Sequence, residues 1–320
     1  MCLEPWQFIY ITMQESKLKY FLLLHLIVFI WGFTAILGAL ISIEAVPLVW
    51  FRMLLAVVFI ALYFLLTKKR LSIDRKSLFK FLFTGVVIAL HWIFFFKAIK
   101  VSNVSIALVT MSTGAFFTSL IEPLFFKRRL QLLELILGLI VIGGLYIIFN
   151  FETQYYLGII YALISAFLAA LFSVLNGLFV KKTSADVISF YQLLFGALFV
   201  SVFLFVTDSF TVDFFDLTVS DWFYLVLLSS VCTAYAFIVS VKIMKHLTPY
   251  TVMLTINLEP VYAIVLALFI FGDKEKMNLE FYYGACIVFA VVLLNGLLKN
   301  RSKLKEKLTK NKKKKETYNN

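Results

Sequence analysis

Residues Thr248–Gly272 read TPYTVMLTINLEPVYAIVLALFIFG, and Asp273 closes them. About 20 apolar residues cross the hydrocarbon core of a bilayer, and this run is long enough. Its middle holds Asn257, Glu259 and Pro260. A carboxylate and a helix-breaking proline at lipid depth are tolerated where they face protein or a water-filled cavity. Two readings are open. In one, Glu259 pairs with a neighbouring helix and Pro260 only kinks the chain. In the other, this helix lines a path for a solute. Pro260 has no N–H and its ring clashes one turn back, which frees the carbonyl around Ile256. Backbone oxygen and carboxylate then share one depth, a place for a cation, a proton or a substrate amine.

The rest of the chain is equally apolar. Of 320 residues, 62% are hydrophobic and 15% charged, and the mean hydropathy is +0.96. A soluble domain is nearer half apolar and a quarter charged. The composition predicts an all-α integral membrane protein. The apolar runs do not alternate and are about twice as long as a barrel strand, which excludes a β-barrel. A net charge of +12 is no nucleic-acid signal, because the bases sit between apolar runs and at the C-terminus. Cys2, Cys232 and Cys286 are scattered and form neither a metal spacing nor a disulfide framework. No cofactor or metal is expected.

Ten apolar runs lie near 20–41, 46–66, 78–97, 103–126, 132–149, 157–180, 187–207, 221–243, 248–271 and 280–298. Residues 1–19 precede them. MCLEPWQFIYIT lacks a basic flank and a cleavage site, so it makes a poor signal peptide, and Met13 is the expected start of translation. Residues 299–320 form a basic tail whose expected role is topological, with attraction to anionic headgroups. The bases Lys17, Lys19, Lys68, Lys69, Arg70, Lys127, Arg128, Arg129, Lys181, Lys182, Lys242 and Lys245 flank one set of alternate loops. The loop at 208–221 carries Asp208, Asp213, Asp216 and Asp221 without a base. The positive-inside rule therefore predicts both termini in the cytoplasm, in the inner or plasma membrane.

The two halves repeat. SNVSIALVTMSTGAFFTSLIEPLFFKRRLQLLELILGLIVIGG aligns without a gap on TPYTVMLTINLEPVYAIVLALFIFGDKEKMNLEFYYGACIVFA, with Ser102 on Thr248 and Gly138 on Gly284. IWGFTAILGAL and VWFRMLLAVVFIALY likewise parallel ALFSVLNGLFV and SFYQLLFGALFVSVF, with Arg52 on Gln192. Each half, 20–149 and 157–298, then holds five helices. An odd number inverts the second copy in the membrane, and inverted repeats place substrate near midplane where they meet.

These stretches resemble the drug/metabolite transporter (DMT) superfamily and, within it, the EamA-type transporters. The resemblance rests on Trp31-Gly32, Phe51-Arg52, NVSIAL from Asn103, and LEPVYAIVLALFIFGD from Leu258 to Asp273. It runs from about Tyr20 to Leu298. In the last motif a proline is followed thirteen residues on by an acid after glycine. Asp273 stands where the family usually has glutamate. In the first half the proline position is Gly114, and KRR replaces the glycine–acid pair. The resemblance implies ten helices, a central cavity, and export or exchange of small metabolites. Members of the superfamily carry amino acids, sugars, nucleotide-sugars and toxic cations.

The candidate path is Trp31, Arg52, His91, Trp92, Glu122, Asn176, Gln192, Tyr235, Asn257, Glu259 and Tyr262, with helix breaks at Pro260 and Gly114. His91 either carries protons, its ordinary pKa being near 6.5, or is a neutral hydrogen-bonding side chain between helices. Trp31 and Trp92 are candidate cavity walls. Arg52 either snorkels outward or faces inward to bind a carboxylate as a planar fork. Glu122 lies about one turn from Lys127–Arg129, and a salt bridge to that cluster is its plainer reading. Ser112, Thr113, Ser173 and the amides also suit polar packing between helices. No phosphate-binding glycine loop, HExxH or GxSxG occurs. The reading is a secondary transporter, monomer or homodimer, whose partners are a small-molecule substrate, the lipid bilayer and a proton or other coupling ion. A membrane-embedded enzyme, or a lipid-handling or structural protein, is the alternative. An enzyme would gather ionisable residues at one interface, whereas here they are few and spread over depth.

Overall fold

The computed structural model describes residues 5–127, 129–130, 132–291, 293–294 and 298, with side chains from Leu18 onward except at 134, 135, 149, 151 and 274. The side chains of the leader, and the basic tail, lie outside the described residues. Every regular element among the described residues is helical. In chain order they are α1 (Pro5–Leu40), α2 (Ala45–Thr67), α3 (Arg75–Val101), α4 (Val104–Met111), α5 (Gly114–Phe126), α6 (Leu132–Phe151) and α7 (Tyr156–Phe179). Then come α8 (Ala185–Val206), α9 (Val219–Ser229), α10 (Ala236–Ile243), α11 (Pro249–Ile256), α12 (Glu259–Phe271) and α13 (Leu279–Val291). Among the described residues, eight helices or helix pairs are long and apolar enough to cross a membrane. The shorter apolar stretches Ile136–Ile148 and Leu279–Val291 fill the two remaining places. The chain is thus a multi-pass membrane protein of ten crossings.

The starts of the helices are written locally. Asp74 accepts from Ser77 N–H at 3.1 Å and opens α3. Asn103 accepts from Ile106 N–H at 2.8 Å and opens α4. Thr248 accepts from Thr251 N–H at 3.2 Å and opens α11, with Pro249 at the first position, where a missing N–H is harmless. Residues with left-handed backbone, Lys68 and Lys127, stop α2 and α5.

Three crossings are not continuous. The run at 248–271 breaks into α11 and α12, as Pro260 requires. Val261 N–H turns to the Leu258 carbonyl at 3.1 Å, and Pro260 offers none, so the carbonyls of Ile256 and Asn257 lose their helical partners. The run at 103–126, expected as one helix, also breaks, into α4 and α5. There Ser112 and Thr113 tighten the turn, with Thr113 N–H on the Thr110 carbonyl at 3.1 Å. In the register that sets Ser102 on Thr248, the ends of α11 and α12 fall within one residue of those of α4 and α5. The third interruption is a π-turn at Ser230–Tyr235 between α9 and α10.

The broken helices cross each other at the centre: α12 packs on α4, and α11 on α5. Around them α3 packs on α7 and α8, and α2 on α8 and α9. Glycines allow two close crossings. A methyl on Gly196 of α8 would lie 2.8 Å from the Gly85 carbonyl of α3 and would overlap Met53. A methyl on Gly284 of α13 would lie 2.8 Å from the Gly144 carbonyl of α6. With lipid tails as apolar as leucine, such small-residue contacts are what hold membrane helices together.

Candidate functional site

The seams between the halves leave a cavity of about 100 Å³, room for several waters or a small solute. Both helix breaks line it, through Met111 and Ser112 on one side and Ile256, Asn257, Glu259 and Pro260 on the other. Along the chain it reaches from Arg52, about two turns below the start of α2, to Val252 in the first turn of α11 and Met244 just past α10. It is therefore displaced toward the end of the bundle that carries the basic loops, termed the basic face.

Of the residues singled out in the sequence, Trp31, Arg52, His91, Trp92, Asn176, Asn257, Glu259 and Pro260 line this cavity. Arg52 faces inward and is 1% exposed. Its Nε donates to Thr233 Oγ1 at 2.7 Å, and its guanidinium lies 3.9 Å from the centre of the Trp92 ring, a cation–π contact. Its Nη1 is buried without a partner. The Trp31 indole donates to the Cys232 carbonyl at 3.0 Å. Both anchors sit on the π-turn, whose extra residue frees backbone oxygen and which recurs at functional sites. Thr233 is held in turn by its own bond to the Leu228 carbonyl at 2.7 Å.

His91 bonds across to α7. Its Nδ1 lies 2.9 Å from the Ser165 carbonyl and 2.8 Å from Ser165 Oγ. Ser165 Oγ returns a bond to the His91 carbonyl at 2.9 Å. One edge of the ring still faces the cavity, beside Phe95 and Phe172.

Arg52 and Glu259 interact electrostatically across the cavity but form no direct ion pair. Three other cavity-lining side chains carry buried polar atoms without partners: Thr34 Oγ1, Asn176 Nδ2 and Asn257 Nδ2. Buried polar groups are normally paired, and a polar occupant of this void could pair with these atoms. The walls between are apolar or aromatic, among them Trp31, Trp92, Phe172, Phe237 and Met253.

The remaining candidates lie elsewhere. Gln192 is one layer back, where its Nε2 donates to Asn176 Oδ1 at 2.7 Å and to Thr84 Oγ1 at 2.8 Å. It orients Asn176 rather than facing the void. Tyr235 is 46% exposed on the outer surface. Tyr262 packs on α1 beside Phe29 and Gly32. Gly114 adjoins Met253 and the Ala166 carbonyl, outside the lining. Glu122 is buried away from the cavity. Glu122 reaches across to α11, where its Oε2 accepts from Tyr250 N–H at 2.8 Å; Arg128, in the cluster expected to pair with it, lies outside the described residues. Sequence reading missed Thr34, Cys232, Thr233 and Ser240. The small, polar stretch SSVCTAY at 229–235 was the available signal.

No curated protein matches the chain. Among solved structures, the crystal structure of a protein is similar over 88% of this chain and 98% of that chain, with a TM-score of 0.65 and 15% identity, a likeness of fold. The EamA-like transporter family matches residues 18–150 and again residues 156–297, once on each half. On these two matches, spanning nearly all the described helices, the chain belongs to the EamA-like transporter family.

Proposed function

We propose that this protein is a secondary transporter of small zwitterionic metabolites, amino acids or related compounds, which it moves by alternating access through the central cavity. One observation carries the substrate class. A guanidinium with a free Nη1 and a carboxylate face the same void without pairing with each other. A solute bearing both a carboxylate and an amine satisfies both, Arg52 as a planar donor and Glu259 as acceptor. The carbonyls of Ile256 and Asn257, without their regular helical partners, lie beside Glu259 for further N–H donors. Trp31, Trp92 and Phe172 supply walls for an apolar side chain. The units that would rock are the repeats at 20–149 and 157–298. The basic loops support cytoplasmic termini in the inner or plasma membrane, which makes the present cavity displaced toward the cytoplasm.

The test is flux in proteoliposomes, with a panel of cationic, zwitterionic and anionic metabolites, each with and without a pH gradient. Zwitterions are expected to be carried and to compete with one another. Glu259→Gln keeps volume and hydrogen bonding but removes the charge. It should insert normally and lower flux by about tenfold or more, the effect of losing roughly one charge-assisted contact. Wild-type flux by Glu259→Gln across pH 5–8 with every zwitterion of the panel would make Glu259 structural.

A further inference from the structure

Two buried carboxylates outside the cavity do related work at opposite ends of the bundle. On the face away from the basic loops, Glu275 caps the start of α4. Its Oε1 accepts from Val104 N–H at 2.9 Å, and its Oε2 from Ser105 N–H at 2.9 Å and Ser105 Oγ at 2.7 Å. On the basic face, Glu122 caps the start of α11, accepting from Tyr250 N–H. Val104 and Tyr250 occupy the same position in the register that sets Ser102 on Thr248. Each acid comes from the opposite half of the chain to the helix it caps. Both are nearly buried, Glu122 at 6% and Glu275 at 4% exposure. A helix start is a partial positive charge with unpaired N–H groups, so each acid is a strong yet separable link between the halves.

We propose that Glu275 and Glu122 are a crossed pair of latches, one on each face, released in turn as the cavity opens to that face. This rests on the alternating-access reading above. In the present state both links are made, three bonds of Glu275 on the far face and the bond of Glu122 to Tyr250 N–H on the basic face, so the cavity is closed off from both faces by them. For the cavity to open to the far face, the start of α4 has to part from the segment that carries Glu275. The inverted symmetry makes Glu122 and α11 the corresponding link on the basic face.

Cys232 lines the cavity and serves as a native reporter. With Cys2→Ser and Cys286→Ser in place, Cys232 is alkylated with a membrane-impermeant maleimide in right-side-out and in inverted vesicles. Glu275→Gln should raise the labelling rate from the far face and lower it from the basic face. Glu122→Gln should do the opposite. Each shift should be about tenfold, as for the loss of one hydrogen bond to a charged group. Ser105→Ala removes one of the three bonds and should shift labelling as Glu275→Gln does, but less. It keeps the test open if the glutamine variant does not insert. Shifts of the same sign in both glutamine variants, or unchanged labelling in normally inserted Ser105→Ala and Glu122→Gln, overturn the latch. Labelling needs no known substrate. A protein with working latches and no flux would therefore refute the transport reading, not the latches.

Discussion

Arg52 shows how one residue gathers a site. A buried guanidinium is costly unless its donors are met, and here Nε is met by Thr233 and the plane by Trp92, leaving Nη1 for an occupant. Thr233→Val removes the acceptor and is expected to let the guanidinium swing. The apparent affinity for the substrate should fall by about tenfold at unchanged expression, which concentration-dependent flux will read. Arg52→Lys should lose more, since a single ammonium cannot donate as a fork. The sequence reached Arg52 and Glu259 because charges at membrane depth stand out on their own. It left Arg52 undecided between inward and outward, because the deciding partner lies 181 residues away. The bond of Glu122 to Tyr250 N–H was hidden for the same reason, its partner being 128 residues off.

Among elements, the broken helices divide into a readable and an unreadable case. Pro260 announces its break, since proline lacks the donor a helix needs. Gly114 does not, and only the repeat register ties the two together. The π-turn was invisible. It inserts one extra residue, which rotates every later side chain of that crossing by about 100° relative to a regular helix. Tyr235, placed on the candidate path, ends that turn and faces out. Helix crossings yield a sharp contrast at neighbouring positions. A methyl at Gly143 meets nothing, whereas one at Gly144 lies 3.1 Å from the Gly284 carbonyl. Gly143→Ala should be neutral or stabilising, by up to about 1 kcal/mol from helix propensity. Gly144→Leu should force α6 and α13 apart and cost about 1–3 kcal/mol. Thermal unfolding in detergent, monitored by size-exclusion chromatography, will separate them.

At the scale of the whole molecule, the count of ten crossings and the duplication were legible, because apolar length and a gapless repeat survive in sequence. A central cavity where the repeats meet was also expected, but its detailed lining was not legible, because that is set by contacts between residues far apart in the chain. Topology has its own test. Alkaline phosphatase fused after residue 214 should be active and after residue 72 inactive, since the first loop is acidic and the second basic. The reverse pattern would invert the assignment of faces. The crossed caps also set a schedule for biogenesis. Val104 leaves the ribosome 171 residues before Glu275, its cap. At roughly 5–20 residues per second this is an interval of about 10–30 s. Throughout it the N–H groups of Val104 and Ser105 at the start of α4 lack their cap. The far mouth of the protein is thus sealed last, by one of the final segments to be made. A nascent chain stalled before Glu275 should keep that mouth wet, even with its preceding crossings already in the bilayer.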